Sequence, residues 1–461
     1  MKILVLGGGP GGYVAAIRGA QLGAEVTLVE RQSLGGTCLN VGCIPTKVLL
    51  NTTDLVTTLI RQGDSLGLTG GPFGVDWTRL QQRKQEVVAT LVGGVASLLE
   101  NNQITVIQGT GELTSKTTAR ITTEDGDTRQ ITFDRAILAT GSVPSVFPIP
   151  GIDNPSVLIS DEILALETLP KSLVVVGGGV IGVEFANLFS RLGVEVTVIE
   201  MLPGIVDQME EEVVAYLESS LREDGVQIHT RSKVEGFAPS PEGLAVTVKT
   251  PDATITLETE KVLLAMGRRP LVTGIGLENL GIKTQGGISV NGVMQTSVPE
   301  IYAVGDCTGG AMLAHVASAQ GIMAAEHIMG QASKMALNTT PYCVYTHPEI
   351  ASVGLTEKQV KAAGYDYVVG RFPLMGNGKA LILGETEGLI KWIAHKQTGE
   401  ILGLHIAGPK ATELIVEGAL ALRLEATAEE LITTIHAHPT LGESLMEGAH
   451  GIFHHPIHLP K

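Results

Sequence analysis

KILVLGGGPGGYVAAIRGAQLGAEVTLVE, residues 2–30, reads as a short buried strand, a glycine turn, an amphipathic helix ending near Gly23, and a second strand ending at Glu30. Gly7, Gly9 and Gly12 fit the spacing G-x-G-x-x-G. The first glycine permits the tight turn, the second lets a pyrophosphate approach the backbone, and the third lets the helix pack closely on the strand. The helix N-terminus favours the phosphate charge. Glu30 stands 23 residues after Gly7, where a carboxylate can accept hydrogen bonds from ribose hydroxyls. The pattern returns in SLVVVGGGVIGVEFANLFSRLGVEVTVIE, residues 172–200, with Gly177, Gly179 and Gly182 in the same frame and Glu200 again 23 residues after the first glycine. One such turn is a weak signal, because glycine between strand and helix is common for steric reasons alone. Two in register, 170 residues apart, predict two dinucleotide sites on an α/β fold with two Rossmann-like domains.

The two sites need not be alike. After the second strand comes Glu200-Met201-Leu202-Pro203, with no arginine placed to meet a 2′-phosphate, and a carboxylate there repels one. NAD is therefore favoured over NADP at the second site. Arg268 and Arg269 in AMGRRP count slightly the other way, since a basic pair elsewhere can reach a phosphate.

The chain around these turns has 461 residues, which at about 150 per domain suggests roughly three domains. It carries 57 glycines, 44% hydrophobic residues and only 4% aromatic ones, the composition of a globular α/β protein rich in tight turns. A net charge of −16 opposes sustained binding to nucleic acid or an anionic bilayer, and neither partner is expected. The N-terminal residues begin like a secretory signal, but glycines, Pro10 and Arg18 interrupt the apolar stretch, and no apolar run is long enough to span a membrane. Cys307 and Cys343 suggest no disulfide framework, so the expected compartment is the reducing cytoplasm. There a disulfide is more often catalytic than structural.

That bears on GGTCLNVGCIPTK, residues 35–47, where Cys38 and Cys43 are five positions apart. On one regular helix their Cα atoms would lie about 8–9 Å apart, whereas a disulfide needs about 4.4–6.8 Å. A bridged pair therefore requires an irregular turn, for which Gly42 supplies backbone freedom, while Pro45 suits the first turn of the helix that IPTKVLLNTTDLV begins. Cys43 then lies near a helix N-terminus with Lys47 close by, two influences that favour a thiolate. A structural disulfide, a metal site and buried free thiols compete with the redox reading. The compartment disfavours the first, the second lacks further Cys/His ligands nearby, and the third needs no glycine-rich surround. No metal is expected.

The stretch GGTCLNVGCIPTK closely resembles the redox-active segment of the flavoprotein disulfide reductases, and the likeness extends along essentially the whole chain. ATGSVPSVFPIPG (139–151), AMGRRP (265–270), TSVPEIYAVGD (296–306), MLAH (312–315) and HAHPTLGE (436–443) follow in the family's order. The set is most like the branch that oxidises dihydrolipoamide. The resemblance implies FAD on the first glycine turn, with Glu30 on its ribose, Gly36, Thr37 and Lys47 near the cofactor, Asp306 on the ribityl side, and further contacts from Gly111, Thr140, Gly141, Ser142 and Ala314. It implies NAD on Gly177, Gly179, Gly182 and Glu200, with Val234 and Gly267 lining the same site. Glu184 resembles the family's partner for Lys47; a plain surface salt bridge is the alternative.

By the same resemblance, a substrate thiolate attacks the Cys38–Cys43 disulfide at Cys38 and releases Cys43, whose electrons pass through FAD to NAD⁺. His438 is the candidate base and Glu443 its orienting carboxylate. In the family this base reaches the disulfide from the other subunit of a homodimer. Six of the twelve histidines lie after residue 435, so a metal-binding or merely solvated C-terminal end is the competing reading of His438. His436, Pro439 and Thr440 are expected to shape its turn.

The expected division is FAD-binding at 1–150 and 271–336, NAD-binding at 151–270, and an α+β interface domain at 337–461. In the last, GLIKWIAH, ILGLHIAG and TELIVEGALALRL predict an antiparallel sheet backed by helices. Because the chain starts on the first dinucleotide strand, no lipoyl domain is expected in front, and a separate lipoylated carrier is the expected partner. Two departures stand out: Gly442 replaces the family's serine, and the tail GAHGIFHHPIHLPK differs from the family's. Mercuric reductase, a low-molecular-weight disulfide reductase and a flavin redox sensor or scaffold remain the alternatives. The C-terminal cysteine pair of the first is absent, and glutathione reductases carry basic residues where Glu200 lies.

Overall fold

A computed structural model describes residues 1–455 and 457–459. Two five-stranded parallel sheets organise its first two-thirds. The first runs in the order Ile301–Ala303, Arg135–Leu138, Lys2–Leu6, Glu25–Glu30, Thr105–Gln108. The second runs Gln227–His229, Glu195–Ile199, Ser172–Val176, Lys261–Leu264, Val157–Ile159. Lys2 pairs with Glu25 and Ser172 with Glu195, so the 23-residue offset seen in the sequence is also the register of the central strand pairs.

Parallel strands are covered on both faces, which is why ILVL and LVVV are unbroken apolar runs. In the first lobe one face packs under helices Pro10–Gln21, Trp77–Asn101 and Ala314–Ile328. The other packs on a small antiparallel sheet, Thr110–Ser115, Thr118–Thr122 and Thr128–Thr132. The second lobe repeats the arrangement with its own three-stranded sheet, Lys233–Ser240, Gly243–Lys249 and Thr254–Thr259. Each lobe is therefore three layers deep, and strand Ile301–Ala303 returns the chain to the first sheet after the second lobe is complete.

The C-terminal part is a five-stranded antiparallel sheet, ordered Tyr342–Val344, Ile350–Gly354, Ile401–Ala407, Leu389–His395, Tyr367–Pro373. Helices Ala411–Arg423 and Glu443–Ile452 back it, and the buried Trp392 indole donates to the Leu445 carbonyl at 2.9 Å. Lys391 and His405 are paired across this sheet and fully buried. The Lys391 ammonium donates to Glu210 (2.8 Å), Glu212 (2.5 Å) and Glu357 (2.6 Å), and Arg371 holds Glu212 from the side at 2.7 Å. Glu210 and Glu212 begin helix Glu211–Glu223 of the second lobe, so this cluster fastens that lobe to the C-terminal sheet. Burial pushes the neighbouring His405 imidazole down to about 4, leaving it neutral and adding no charge. No helix among the described residues is long and apolar enough to cross a membrane.

Removing one partner from such a cluster strands the others, at a cost of about 3 kcal/mol. Lys391→Met should therefore lower the urea midpoint, read by circular dichroism, while a surface change such as Lys358→Met leaves it in place.

Candidate active site

The two glycine turns face each other across one cavity of about 1680 Å³. This exceeds the roughly 300–1,000 Å³ of a single-ligand pocket. Gly9 and Gly179 cap helices Pro10–Gln21 and Val180–Arg191, and neither helix receives a side-chain cap, so the first-turn N–H groups are free for an anion. Gly7, Gly9, Gly177 and Gly179 line the cavity. Gly12 and Gly182, expected among the binding residues, do not: a Cβ on them would lie 1.8 and 1.9 Å from the carbonyl oxygens of Gly7 and Gly177. They act by letting helix and turn close, beneath the surface that a ligand touches.

The two carboxylates are held alike. Glu30 accepts the N–H groups of Gly8 (2.6 Å) and Gln32 (2.7 Å), and Glu200 those of Gly178 (2.6 Å) and Leu202 (2.6 Å). Both line the cavity with acceptor capacity to spare, and Val234 and Gly267 lie on the same walls. Arg268, a candidate phosphate ligand from its sequence, donates instead to Ser142, through Nε to Oγ at 2.7 Å and through the guanidinium to the carbonyl at 2.9 Å. The Ser142 hydroxyl in turn donates to Asp306 at 2.6 Å, and the Thr140 hydroxyl to the Leu271 carbonyl at 2.7 Å. Gly111, Thr140, Gly141, Ser142, Asp306 and Ala314 all border the cavity.

The cysteine segment lies directly on the first turn. Gly36 has φ +57°, and a Cβ there would meet the Gly9 Cα at 2.7 Å, so the approach requires glycine. Gly36, Thr37 and Cys38 belong to the short helix Gly36–Asn40, Val41 and Gly42 break it, and Cys43 opens the helix Cys43–Gln62. The pair thus spans the irregular turn that the spacing demanded. Both are free thiols, and Cys43 opens onto the cavity. A hydrogen bond from Cys38 lowers Cys43 to about 7 against the cost of burial, with help from Lys47 and opposition from Glu184. The same bond, with burial, pushes Cys38 far up, so the negative charge sits on Cys43.

The Lys47 ammonium donates to both oxygens of Glu184, at 2.8 and 2.7 Å, and stands 4.7 Å above the Tyr345 ring. Glu184 is buried on helix Val180–Arg191 and also accepts the Tyr345 N–H at 3.0 Å. This is an interior contact between the two lobes and not a surface salt bridge. Tyr345 carries no local motif and follows the short, partly exposed strand Tyr342–Val344, so no sequence signal pointed to it.

His438 and Glu443 are paired with each other, Nδ1 to Oε1 at 2.9 Å, and Glu443 also accepts the Thr440 N–H at 2.8 Å. Burial opposes the Glu443 charge, but these hydrogen bonds outweigh it and hold the carboxyl below its ordinary value. With Nδ1–H committed, Nε2 is left as the acceptor. Neither residue borders the cysteine cavity of its own chain, and the His438 side chain is 79% exposed. His436 is tied to Glu417 at 3.1 Å, steadying the loop. Exposed Val416, Leu420, Leu424 and Ile435 lie in the same part of the chain, an apolar complement to the exposed base.

The family described as "Pyridine nucleotide-disulphide oxidoreductase" matches residues 1–321, and its dimerisation domain matches 340–449. The chain belongs to the pyridine nucleotide-disulphide oxidoreductase family. Among its members, the dihydrolipoyl dehydrogenase of Bacillus subtilis is 42% identical over 459 residues, 97% of each chain. That of Geobacillus stearothermophilus is 41% identical, covering 99% of this chain and 97% of the other. The crystal structure of LpdA from Mycobacterium tuberculosis aligns with a TM-score of 0.91 at 31% identity, over 97% of this chain and 99% of that one. The oxidoreductase family thus accounts for both dinucleotide lobes and for the C-terminal sheet as a dimerisation domain.

Because Cys43 carries the charge, alkylation of the reduced protein by iodoacetamide should modify Cys43 before Cys38, with a rate that rises as pH increases through about 7. Lys47→Met removes the cation and should move that rise to higher pH. Peptide mass spectrometry identifies the modified cysteine.

Proposed function

We propose that the protein oxidises dihydrolipoamide carried by a lipoylated partner to lipoamide, with NAD⁺ as acceptor, as a homodimer in the cytoplasm. The observation that carries this reading is a cysteine pair, its charge on Cys43, in one cavity with two dinucleotide-binding turns. Dihydrolipoyl dehydrogenases about 40% identical over the full length support the substrate. The residues fit FAD and NAD: two uncapped helix N-termini for two pyrophosphates, two fixed carboxylates for ribose hydroxyls, and a cavity of two-ligand size. We assign FAD to residues 1–150 and 271–336, NAD to 151–270, and the subunit interface to 337–461. When bound, FAD supplies the two-electron carrier that links dithiol oxidation to hydride transfer onto NAD⁺.

The chain's own residues handle sulfur and protons. In the oxidised enzyme Cys38 and Cys43 share a disulfide. His438 Nε2 of one subunit takes a proton from a substrate thiol, and Glu443 stabilises the resulting imidazolium. The substrate sulfur bonds to Cys38 as the Cys38–Cys43 bond breaks, and Cys43 leaves as thiolate. The second substrate thiol then attacks the first sulfur, giving cyclic lipoamide; the Cys38–substrate bond breaks, and Cys38 leaves with its electron pair and takes up the second thiol's proton. In the resulting dithiol, Cys38 stabilises the Cys43 thiolate by hydrogen bonding and Lys47 stabilises it by charge. Glu184 limits that stabilisation, so the thiolate remains a competent electron donor.

An exposed base outside its own chain's cavity gives a test of assembly. Cys43→Ser and His438→Gln should each abolish dihydrolipoamide-driven NAD⁺ reduction while retaining cofactor. Mixing the two by co-expression should restore about a quarter of wild-type activity, because half of randomly assorted dimers then contain one intact site in two. If both groups acted from one chain, the mixture would remain inactive.

A further inference from the structure

The loop that carries His438 makes most of its hydrogen bonds within its own stretch of chain. The Thr440 hydroxyl donates to the Ala437 carbonyl at 2.7 Å, the Thr440 N–H to Glu443 at 2.8 Å, and His436 Nδ1 meets the Thr434 carbonyl at 2.9 Å. Gly442, at the N-terminus of helix Glu443–Ile452, brings no side-chain cap. Among the described residues, two hydrogen bonds reach the loop from farther off in the chain. Glu417 meets His436 at 3.1 Å, and the Asn377 carboxamide donates to the Thr440 carbonyl, also at 3.1 Å. Asn377 is 5% exposed and joins strand Tyr367–Pro373 to the short helix Gly378–Leu383. Its Oδ1 accepts the N–H groups of Lys379 and Ala380, both at 2.9 Å. Two donors converging on that atom fix which way the carboxamide points, so the amide nitrogen is the end that faces Thr440.

We propose that Asn377 is a positioning residue for the base: by holding the Thr440 carbonyl it fixes the turn on which the Glu443 carboxylate rests, and through Glu443 it fixes the direction of His438 Nε2. This rests on His438 being the base. The ring has little hold of its own, since its side chain is 79% exposed and, among the described residues, its one hydrogen bond is that of Nδ1 to Glu443 at 2.9 Å. The Glu443 carboxylate likewise meets two groups, the His438 ring and the Thr440 N–H. Thr440 is therefore gripped from both sides, by Glu443 at its N–H and by Asn377 at its carbonyl. Asparagine serves two needs at once, because Oδ1 caps the short helix while Nδ2 holds the loop. Serine or ionised aspartate keeps the cap. Neither keeps the hold: the serine hydroxyl is too short to reach Thr440, and the carboxylate has no hydrogen to give. Proton transfer from a substrate thiol needs the base within hydrogen-bond reach, and a displacement of about 1 Å can cost about a hundredfold in rate.

The test uses the intact holoenzyme dimer. Asn377→Ser should lower kcat for dihydrolipoamide oxidation by roughly tenfold or more, with KM for dihydrolipoamide within about twofold of wild type. The urea midpoint should stay in place, since the cap is kept. NADH oxidation by ferricyanide, which takes no proton from a substrate thiol, should also be unchanged. Asn377→Asp should show the same pattern, and should one variant fail to assemble, the other decides. The deciding measurement combines Asn377→Ser with His438→Gln and follows single-turnover reduction of the oxidised protein by dihydrolipoamide after rapid mixing. If Asn377 acts through His438, adding Asn377→Ser should change the slow reduction left in His438→Gln by less than about twofold. An equal loss in both backgrounds would make the role of Asn377 merely structural and overturn the proposal, as would a wild-type kcat in either Asn377 variant. Failure of the underlying reading looks different, because His438→Gln alone would then be reduced at the wild-type rate.

Discussion

An ammonium on one dinucleotide-binding lobe meets a carboxylate on the other. Lys47 stands one helical turn after Cys43, and Glu184 stands one turn into the helix that follows the second glycine turn. Their contact joins the lobes at the point where electrons must change carrier, and it fixes the electrostatics of the sulfur beside it. Lys47 favours the Cys43 thiolate and Glu184 opposes it, both beside the larger effect of the Cys38 hydrogen bond. That bond, set against burial, brings Cys43 down to about 7, and Lys47 and Glu184 adjust it in opposite senses, leaving it on the edge between thiol and thiolate at neutral pH. The Tyr345 N–H and ring, supplied by the C-terminal domain, keep the pair in place, so all three domains converge on one charge balance.

The fold serves that convergence by repeating one solution. Each lobe needs a strand, a glycine turn and an uncapped helix, with a carboxylate at the end of the next strand folded back onto the turn. The equal hydrogen-bond pattern of Glu30 and Glu200 shows how little the two copies differ at this level. They diverge beyond those carboxylates. The first strand pair leads into the cysteine helices, where Gly36 lets the chain lie against Gly9, while the second leads through Met201 and Leu202 to the helix that bears Glu210 and Glu212. The first becomes the redox lobe, and the second is fastened to the dimerisation domain through Lys391.

What could be read from sequence was whatever depends on residues close together in the chain. The glycine spacing, the 23-residue offset of the acids and the five-residue cysteine spacing each impose a local geometry, and the same geometry stands in the structure. The two small antiparallel sheets were not anticipated: Thr118–Thr122 alternates, with Ala119 and Ile121 inward, but the run is only five residues long and packs its inward side on the parallel sheet, a contact distant in sequence. Tyr345 and Arg268 act through long-range contacts that no spacing encodes. Gly12 and Gly182 matter for packing, as their spacing implies, yet they lie below the binding surface. The tail stood out only as a departure, since its hydrogen bonds to the buried Glu447 cannot be read from the sequence.

If dihydrolipoamide opens a Cys38–Cys43 bond and NAD⁺ reduction closes it again, counting thiols through one turnover reveals the cycle. Denaturing alkylation and mass spectrometry of the air-oxidised holoenzyme should find Cys38 and Cys43 protected and Cys307 and Cys343 labelled. After stoichiometric dihydrolipoamide without oxygen all four should be labelled, and after subsequent NAD⁺ the first two should again be protected as NADH appears. Labelling of Cys38 and Cys43 that ignores both the dithiol and NAD⁺ would contradict the disulfide relay.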